Sequence, residues 1–269
     1  MTAAGSGTPV AVVTGAARGI GAAVVTALAG AGWSVIATDI ATDDPRLPYH
    51  LGTLDQLDHV ASSASAGGAS VVPLVADTCD PAALGRAVDE AERRFGGLDA
   101  MVAVAGVVGG GAPLWEMDEG ALRAVVEIDL VGPIVAARVA VPALLRRPIP
   151  RQGRFIAIAS TAATRGMPGL AAYGAAKAGV SGLVRGLAAD LRGTGVTANA
   201  VSPGSTDTAG LAESARLYGL TSPQAFAVQQ PIERLLAPEE IAAAVLWLAG
   251  PDAGGVTGAT FAVDGGLAL

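Results

Sequence analysis

Cysteine, histidine, aromatic and charged residues are all scarce in this chain, and each shortage excludes something. A single cysteine, Cys79, has no partner for an intrachain disulfide. Two histidines, His50 and His59, are too few for a His-rich site, and no metal is expected. Charged residues make up 15% of the 269, and the formal net charge is -7. That balance offers no basic face to neutralise phosphates, so nucleic acid is not an expected partner. Residues 100–115 run without a charge, but Gly106, Gly109, Gly110, Gly111 and Pro113 interrupt a stretch already too short to span a bilayer as a helix. No membrane partner is expected. The opening MTAAGSGTPVAVV lacks the basic region and apolar run of a secretory signal, which makes the cytoplasm the expected location.

What the chain has is apolar residues and glycine: 51% of it is hydrophobic, with 37 glycines. Such a composition opposes disorder, and the length suffices for a large core. Short runs rich in Val, Ile and Ala at 10–14, 34–38, 70–76, 99–105, 154–159, 197–201 and 260–263 lack polar alternation. They are expected as parallel strands covered on both faces. Helical periodicity fills 19–31, 81–95, 118–145, 170–191 and 238–248. The alternation predicts an α/β fold, a single-domain Rossmann arrangement over residues 1–269 with a doubly wound, seven-stranded parallel sheet. Two segments exceed the minimal plan: an insertion at 40–57 carrying Pro45, Pro48, Tyr49 and several aspartates, and a segment at 205–231 placed to close over a ligand.

The first strand runs into Thr14-Gly15-Ala16-Ala17-Arg18-Gly19-Ile20-Gly21 and then a helix. Glycines there let a backbone approach a pyrophosphate, and the helix start presents free amides to it. Asp39 ends the second strand, where a carboxylate can accept from an adenosine ribose and would repel a 2'-phosphate, favouring NAD over NADP. The plain alternative for Asp39 is a helix or turn cap, and Arg18 leaves a little room for phosphate binding. Asp77, after the third strand, can meet the adenine amine or simply form a turn. Tyr173 and Lys177, four apart on a helical stretch, share one face. A lysine cation favours the phenolate and draws a phenol of ordinary pKa near 10 toward the range of a useful general acid or base. Ser160 ends the fifth strand, where its hydroxyl can hold a substrate oxygen beside that phenol.

With these residues in view, the sequence resembles the classical short-chain dehydrogenase/reductase family over nearly its whole length. The resemblance rests on residues 14–21, on Ser160 with Tyr173-Gly174-Ala175-Ala176-Lys177, on Asn199-Ala200-Val201-Ser202-Pro203-Gly204 and on Val263-Asp264-Gly265-Gly266. It implies an NAD-dependent oxidoreductase that moves a hydride between a secondary alcohol or ketone and nicotinamide while Tyr173 handles the proton. It implies a cofactor set of Gly15, Arg18, Gly19, Ile20, Gly21, Asp39, Asp77, Thr78, Ala105, Gly106, Tyr173, Lys177, Pro203, Gly204, Thr206 and Thr208, with Lys177 on the nicotinamide ribose and the two threonines on the carboxamide. It also implies a homotetramer or dimer pairing the long helices.

Two departures stand out. Ala103-Val104-Ala105-Gly106 replaces the family's Asn-Asn-Ala-Gly, which removes polar side-chain links between strands. Asp129 stands where the family has a catalytic Asn, and is carried as a fourth catalytic candidate, a substitute in the proton relay. A narrower resemblance comes from Leu47-Pro48-Tyr49 and Leu54-Asp55-Gln56-Leu57, with residues 105–111 and 113–116, which look like the mycofactocin-coupled short-chain dehydrogenases of actinobacteria. In that group the nicotinamide does not exchange and mycofactocin, a peptide-derived carrier, reoxidises it in place. A loop after Asp39 would lie over the adenosine and slow its escape. It reads equally as a plain surface insertion. An ordinary dehydrogenase with freely exchanging NAD and a non-catalytic nucleotide-binding protein are the competing readings. A serine hydrolase is disfavoured because no GxSxG surrounds Ser160. Leu211, Leu217, Tyr218, Leu220, Phe226 and Trp115 either line an apolar pocket for a hydrophobic alcohol, terpenoid or alicyclic, or pack the lid's own helix.

Overall fold

The computed structural model describes residues 7–269; the first six residues of the opening read for a secretory signal lie outside them. Seven parallel strands form one sheet in the order β3-β2-β1-β4-β5-β6-β7: β1 Val10–Thr14, β2 Ser34–Asp39, β3 Val71–Val75, β4 Ala100–Ala103, β5 Arg154–Ile158, β6 Thr197–Pro203 and β7 Thr260–Val263. The five inner strands are buried throughout, which is why they show no polar alternation. The edges β3 and β7 are only partly covered, and Pro73 is tolerated because β3 lies at the rim.

Helices α1 Gly19–Gly30, α2 Leu54–Ser65 and α8 Pro238–Ala249 cover one face around Val24, Leu28, Leu57, Ile241 and Val245. Helices α3 Pro81–Phe95, α5 Gly132–Arg146 and α6 Ala171–Asp190 cover the other around Leu84, Val88, Val135, Leu144 and Val180. Each such side chain taken from water contributes about 1.5–3 kcal/mol before entropy is counted. Helix α2 was absent from the periodic stretches because its buried side is thin, Leu57 and Ala61 alone. A capping box between Thr53 and Gln56 starts it and takes residues 54–57 out of the insertion.

The helix expected at 118–145 is three pieces: α4 Glu119–Val126, a π turn Glu127–Val131 and α5. Pro133 has no N–H for the carbonyl of residue 129, so the ladder widens where it would have bonded. This whole helix, Glu119–Arg146, is long and apolar enough to cross a membrane by length and composition, but half of its most apolar window is buried in the fold. The uncharged run 19–38, longer than 100–115, is divided between α1 and β2.

Candidate active site

A cavity of about 720 Å³ opens along the carboxyl edge of the sheet, and every catalytic and cofactor-binding residue put forward from the sequence lines it. At its centre the chain turns from β1 into α1 with Gly15 at φ 65° and Gly19 at φ 56°. A Cβ at Gly15 would stand 2.6 Å from the Ala105 Cα, and one at Gly21 would overlap the Gly15 carbonyl oxygen. Glycine is therefore required for strand and helix to approach this closely. Arg18, the N-cap of α1, makes no side-chain cap and no acidic residue occupies the first turn. The helix N-terminus thus keeps free amides and its positive dipole end for an anion.

Asp39 sits at the cavity wall, nearly buried, but its carboxylate is already engaged: Oδ2 accepts from the Ala17 amide at 3.0 Å and Oδ1 from the Ala41 amide at 3.1 Å. These bonds are a turn-cap role, and the residue also lines the cavity. Asp77 Oδ1 accepts from the Cys79 amide at 2.8 Å, a turn role. Thr208 caps α7 (Ala209–Leu217) through its hydroxyl, which accepts from the Leu211 amide. Its methyl lies where a Cβ on Gly19 would meet it at 3.2 Å, bringing the lid down on the glycine turn. Thr206 donates to the Gly204 carbonyl.

At the other end α6 presents Tyr173 and Lys177 one turn apart, with the Lys177 Nζ 5.8 Å from the phenol ring centroid. Lys177 donates to the Ile158 carbonyl at 3.1 Å and stands 3.4 Å from Asp129 Oδ1. The Ser160 oxygen accepts from the Ala162 amide at 3.2 Å, and Ser160 and Tyr173 line the same cavity. Asp129 is fully buried on the π turn; Oδ1 also accepts from the Val107 amide at 2.9 Å, and Oδ2 has no partner. Gly106 fits between them, since a Cβ there would be 2.7 Å from that Oδ1.

The expectation that Lys177 draws the phenol down holds for its own contribution and not for the sum. Burial raises Tyr173 above the ordinary phenol range; Lys177 and the nearby Ser160 hydroxyl pull it down, and Asp129 pushes it up. Burial likewise raises the Asp129 carboxyl, against the pull of Lys177 and the Val107 amide. Burial draws Lys177 down, yet Asp129 and Tyr173 more than reverse it, so the ammonium is held above the usual lysine value.

Two segments roof the cavity. Residues 40–53, with no regular secondary structure, cross from Asp39 to α4 as a strap. At one end Arg18 donates to the His50 carbonyl at 2.9 Å, and Gly52 lies so close that a Cβ would stand 2.9 Å from Asp39 Oδ1. At the other, the Tyr49 hydroxyl accepts from the Val108 amide at 2.8 Å and Arg46 pairs with Asp44 and Glu127. Leu47 and Leu51 are buried with Val107, Val125 and Ala176 in an apolar cluster against which Tyr49 and Tyr173 both pack. The insertion is thus a bridge over the cleft. The second roof is the lid, residues 205–231. Its Leu211, Tyr218, Leu220 and Phe226 line the cavity, with Tyr218 and Phe226 edge to face at 6.0 Å. Leu217 packs on Gly111 instead, and Trp115 is 83% exposed, carried outward by the single turn Leu114–Glu116. Neither is a pocket residue.

Two contributors escaped the sequence reading. The Thr14 hydroxyl accepts from the Val104 and Ala105 amides at 3.1 and 3.2 Å, restoring from β1 a polar link that the missing asparagines had seemed to remove. Gln230, almost wholly buried, accepts from the Ser205 amide at 2.7 Å and donates to the Arg234 carbonyl, so one side chain clamps both ends of the lid. A lone Thr in a strand and a lone Gln in a loop carry no spacing signal.

A family profile described as enoyl-(acyl carrier protein) reductase matches residues 15–268. The cis-4-hydroxycyclohexanecarboxylate dehydrogenase of Sinomonas cyclohexanicum is 37% identical over 96% of this chain and 95% of its own. The (-)-trans-carveol dehydrogenase of Rhodococcus erythropolis is 32% identical over 97% of each. The crystal structure of a short-chain dehydrogenase from Mycobacterium paratuberculosis bound to NAD superposes with a TM-score of 0.87, at 32% identity and 97% coverage of both chains. The chain is a short-chain dehydrogenase/reductase. It is an NAD-dependent enzyme of the alcohol dehydrogenase and ketone reductase kind.

The cleft of this dehydrogenase fits such a cofactor: the glycine cradle at Gly15 and Gly21 has room for backbone and not for Cβ, and the α1 amides are free for a pyrophosphate. When bound, NAD supplies a nicotinamide that accepts or returns a hydride. The protein's own share is the proton. Ser160 can hold a substrate oxygen in the cavity it shares with Tyr173, whose ring centroid lies 5.8 Å from the Lys177 Nζ.

Proposed function

We propose that this short-chain dehydrogenase/reductase interconverts a hydrophobic, alicyclic secondary alcohol and its ketone on an NAD that stays in place between turnovers and is reoxidised there by mycofactocin. Tyr173 exchanges the hydroxyl proton, Ser160 orients the substrate oxygen, and Lys177 holds the nicotinamide ribose and steadies the phenolate. Gly15, Arg18, Gly19, Ile20 and Gly21 receive the pyrophosphate. Asp39, Asp77 and Thr78 face the adenosine, and Ala105, Gly106, Pro203, Gly204, Thr206 and Thr208 face the nicotinamide half. The whole chain acts as one domain, as a homotetramer in the cytoplasm.

The observation that carries this reading is the strap, fastened at both ends across the cleft next to Asp39. A cofactor beneath it leaves only when those contacts open, which slows exchange. The apolar side chains of the lid, and relatives named for a hydroxycyclohexane and for carveol, support an alicyclic substrate. The test is to purify the protein without added cofactor, denature it and measure released nucleotide by mass spectrometry. Near-stoichiometric NAD or NADH after extensive dialysis is expected, with alcohol oxidation visible through an artificial electron acceptor. An empty protein that turns over added NAD freely would reduce the strap to decoration.

A further inference from the structure

The strap's polar anchors land at a particular place. Tyr49 accepts from the amide of Val108, and the neighbouring Val107 amide is the one that bonds Asp129 Oδ1. Arg46 pairs with Glu127, two residues before Asp129 on the same π turn. The strap therefore grips both strands of chain that hold the buried carboxylate, at 49–108 on one side and 46–127 on the other. Its apolar side chains share a cluster with Ile128, Leu130, Ala176 and Tyr173, so packing joins the same groups.

We infer that Tyr49, assisted by Arg46, is a positioning residue for the Asp129–Lys177 pair, so that seating the strap and preparing the proton-transferring end are one event. This deepens the function proposed above and rests on it. Tyr49 is the stronger hold: its hydroxyl bond lies in a largely buried setting, whereas the Arg46–Glu127 pair is half-exposed and screened. The charged and titratable groups around the carboxylate are Lys177 and Tyr173 from α6, Tyr49 from the strap and, beyond them, the Cys79 thiol. Glu213 of α7 and Arg18 face Tyr49 from beyond. Around Glu127 stand Arg46 and Cys79, with Asp77 beside the thiol.

The sign of the effect follows from the bonds. The Val107 amide favours the ionised carboxylate, and Tyr49 fixes the segment that carries that amide. Losing the Tyr49 hydroxyl loosens the bond and moves Asp129 toward its neutral form, which lessens its upward push on Tyr173. The experiment follows the infrared carbonyl band of protonated Asp129 against pH, the band being assigned by difference from Asp129→Asn, in protein with saturating NAD. Tyr49→Phe is expected to move its midpoint to higher pH by about half a unit to one unit, and Arg46→Gln by less, in the same direction. Hydrogen exchange across residues 104–111 should quicken in both.

Turnover of cyclohexanol with an artificial acceptor supplies a second reading: its rise with pH should shift downward in Tyr49→Phe and shift no further when Asp129→Asn is already present. If either variant loses NAD in dialysis while the Asp129 band and the pH profile stay fixed, the strap is a cover alone and the inference is overturned. Failure of the tight-cofactor reading shows separately, as wild-type protein without bound NAD, and leaves the infrared result to decide the positioning role by itself.

Discussion

The two roofs of the cleft close it by different means. The lid is tied largely to itself: Gln230 clamps its ends, Thr208 caps its helix and Tyr218 meets Phe226 edge to face, while its outward bonds run from its base to residues 234–236 and from the Tyr218 hydroxyl to the Pro168 carbonyl. The strap has no helix; Asp43, bonded to the Leu51 amide and to His50, and Asp44, paired with Arg46, tie it internally, and its other holds are on what it crosses, from the glycine turn to the π turn. A self-closed segment can swing as a unit when substrate enters and leaves. A segment held by the groups beneath it cannot move without disturbing them.

The largest effect should come at the phenol against which the strap's apolar cluster packs. Tyr173→Phe is expected to cut turnover by about 10²–10⁴-fold, with nucleotide content measured on the same preparation near that of wild type. Survival of most of the activity would remove the phenol from the chemistry. Next, Gly52→Ala places a methyl against Asp39 and Ala17, so the strap must lift. The NAD dissociation rate followed by stopped-flow fluorescence should rise at least roughly tenfold, the equivalent of about 1.4 kcal/mol. A lid variant should leave that rate much closer to wild type, and an equal rise in both would erase the distinction between the roofs.

Asp129→Asn sharpens it chemically. An ionised carboxylate raises both Tyr173 and Lys177, so removing it lowers the phenol, and alcohol oxidation should gain its proton acceptor at lower pH, with the profile shifted by about one unit. An unmoved profile would mean that Asp129 is neutral in the working enzyme. The smallest change expected is Gln230→Ala. It leaves the buried Ser205 amide without a partner at a cost of about 1–3 kcal/mol, read as a lower melting temperature and a raised KM for substrate with NAD retention little altered.

Much of this was visible in the sequence because the deciding interactions are local or repetitive. Buried parallel strands announce themselves by uninterrupted Val, Ile and Ala, and the glycine turn by spacing that only close backbone packing requires. Tyr173 and Lys177 declare a shared face through helical spacing. The path of the strap was not legible, because Tyr49–Val108 and Arg46–Glu127 join residues 59 and 81 positions apart. Thr14 and Gln230 were missed for the same reason. The ionisation balance of Tyr173 was misjudged since spacing shows the lysine beside it and not the depth at which both lie.

The π turn also sets the register of everything after it. An α-helix advances about 100° per residue, so one residue more in the turn re-aims all that follow by that angle. Upstream, Ala124 and Val125 face the strap's cluster; downstream, Val135, Ala136 and Ala140 face the main core. Deleting a single residue between 127 and 131 would leave a helix of good local geometry that can satisfy one of those two partners and must turn its back on the other. The segment works as an indexing step in the chain, and Asp129 points inward because the step falls there.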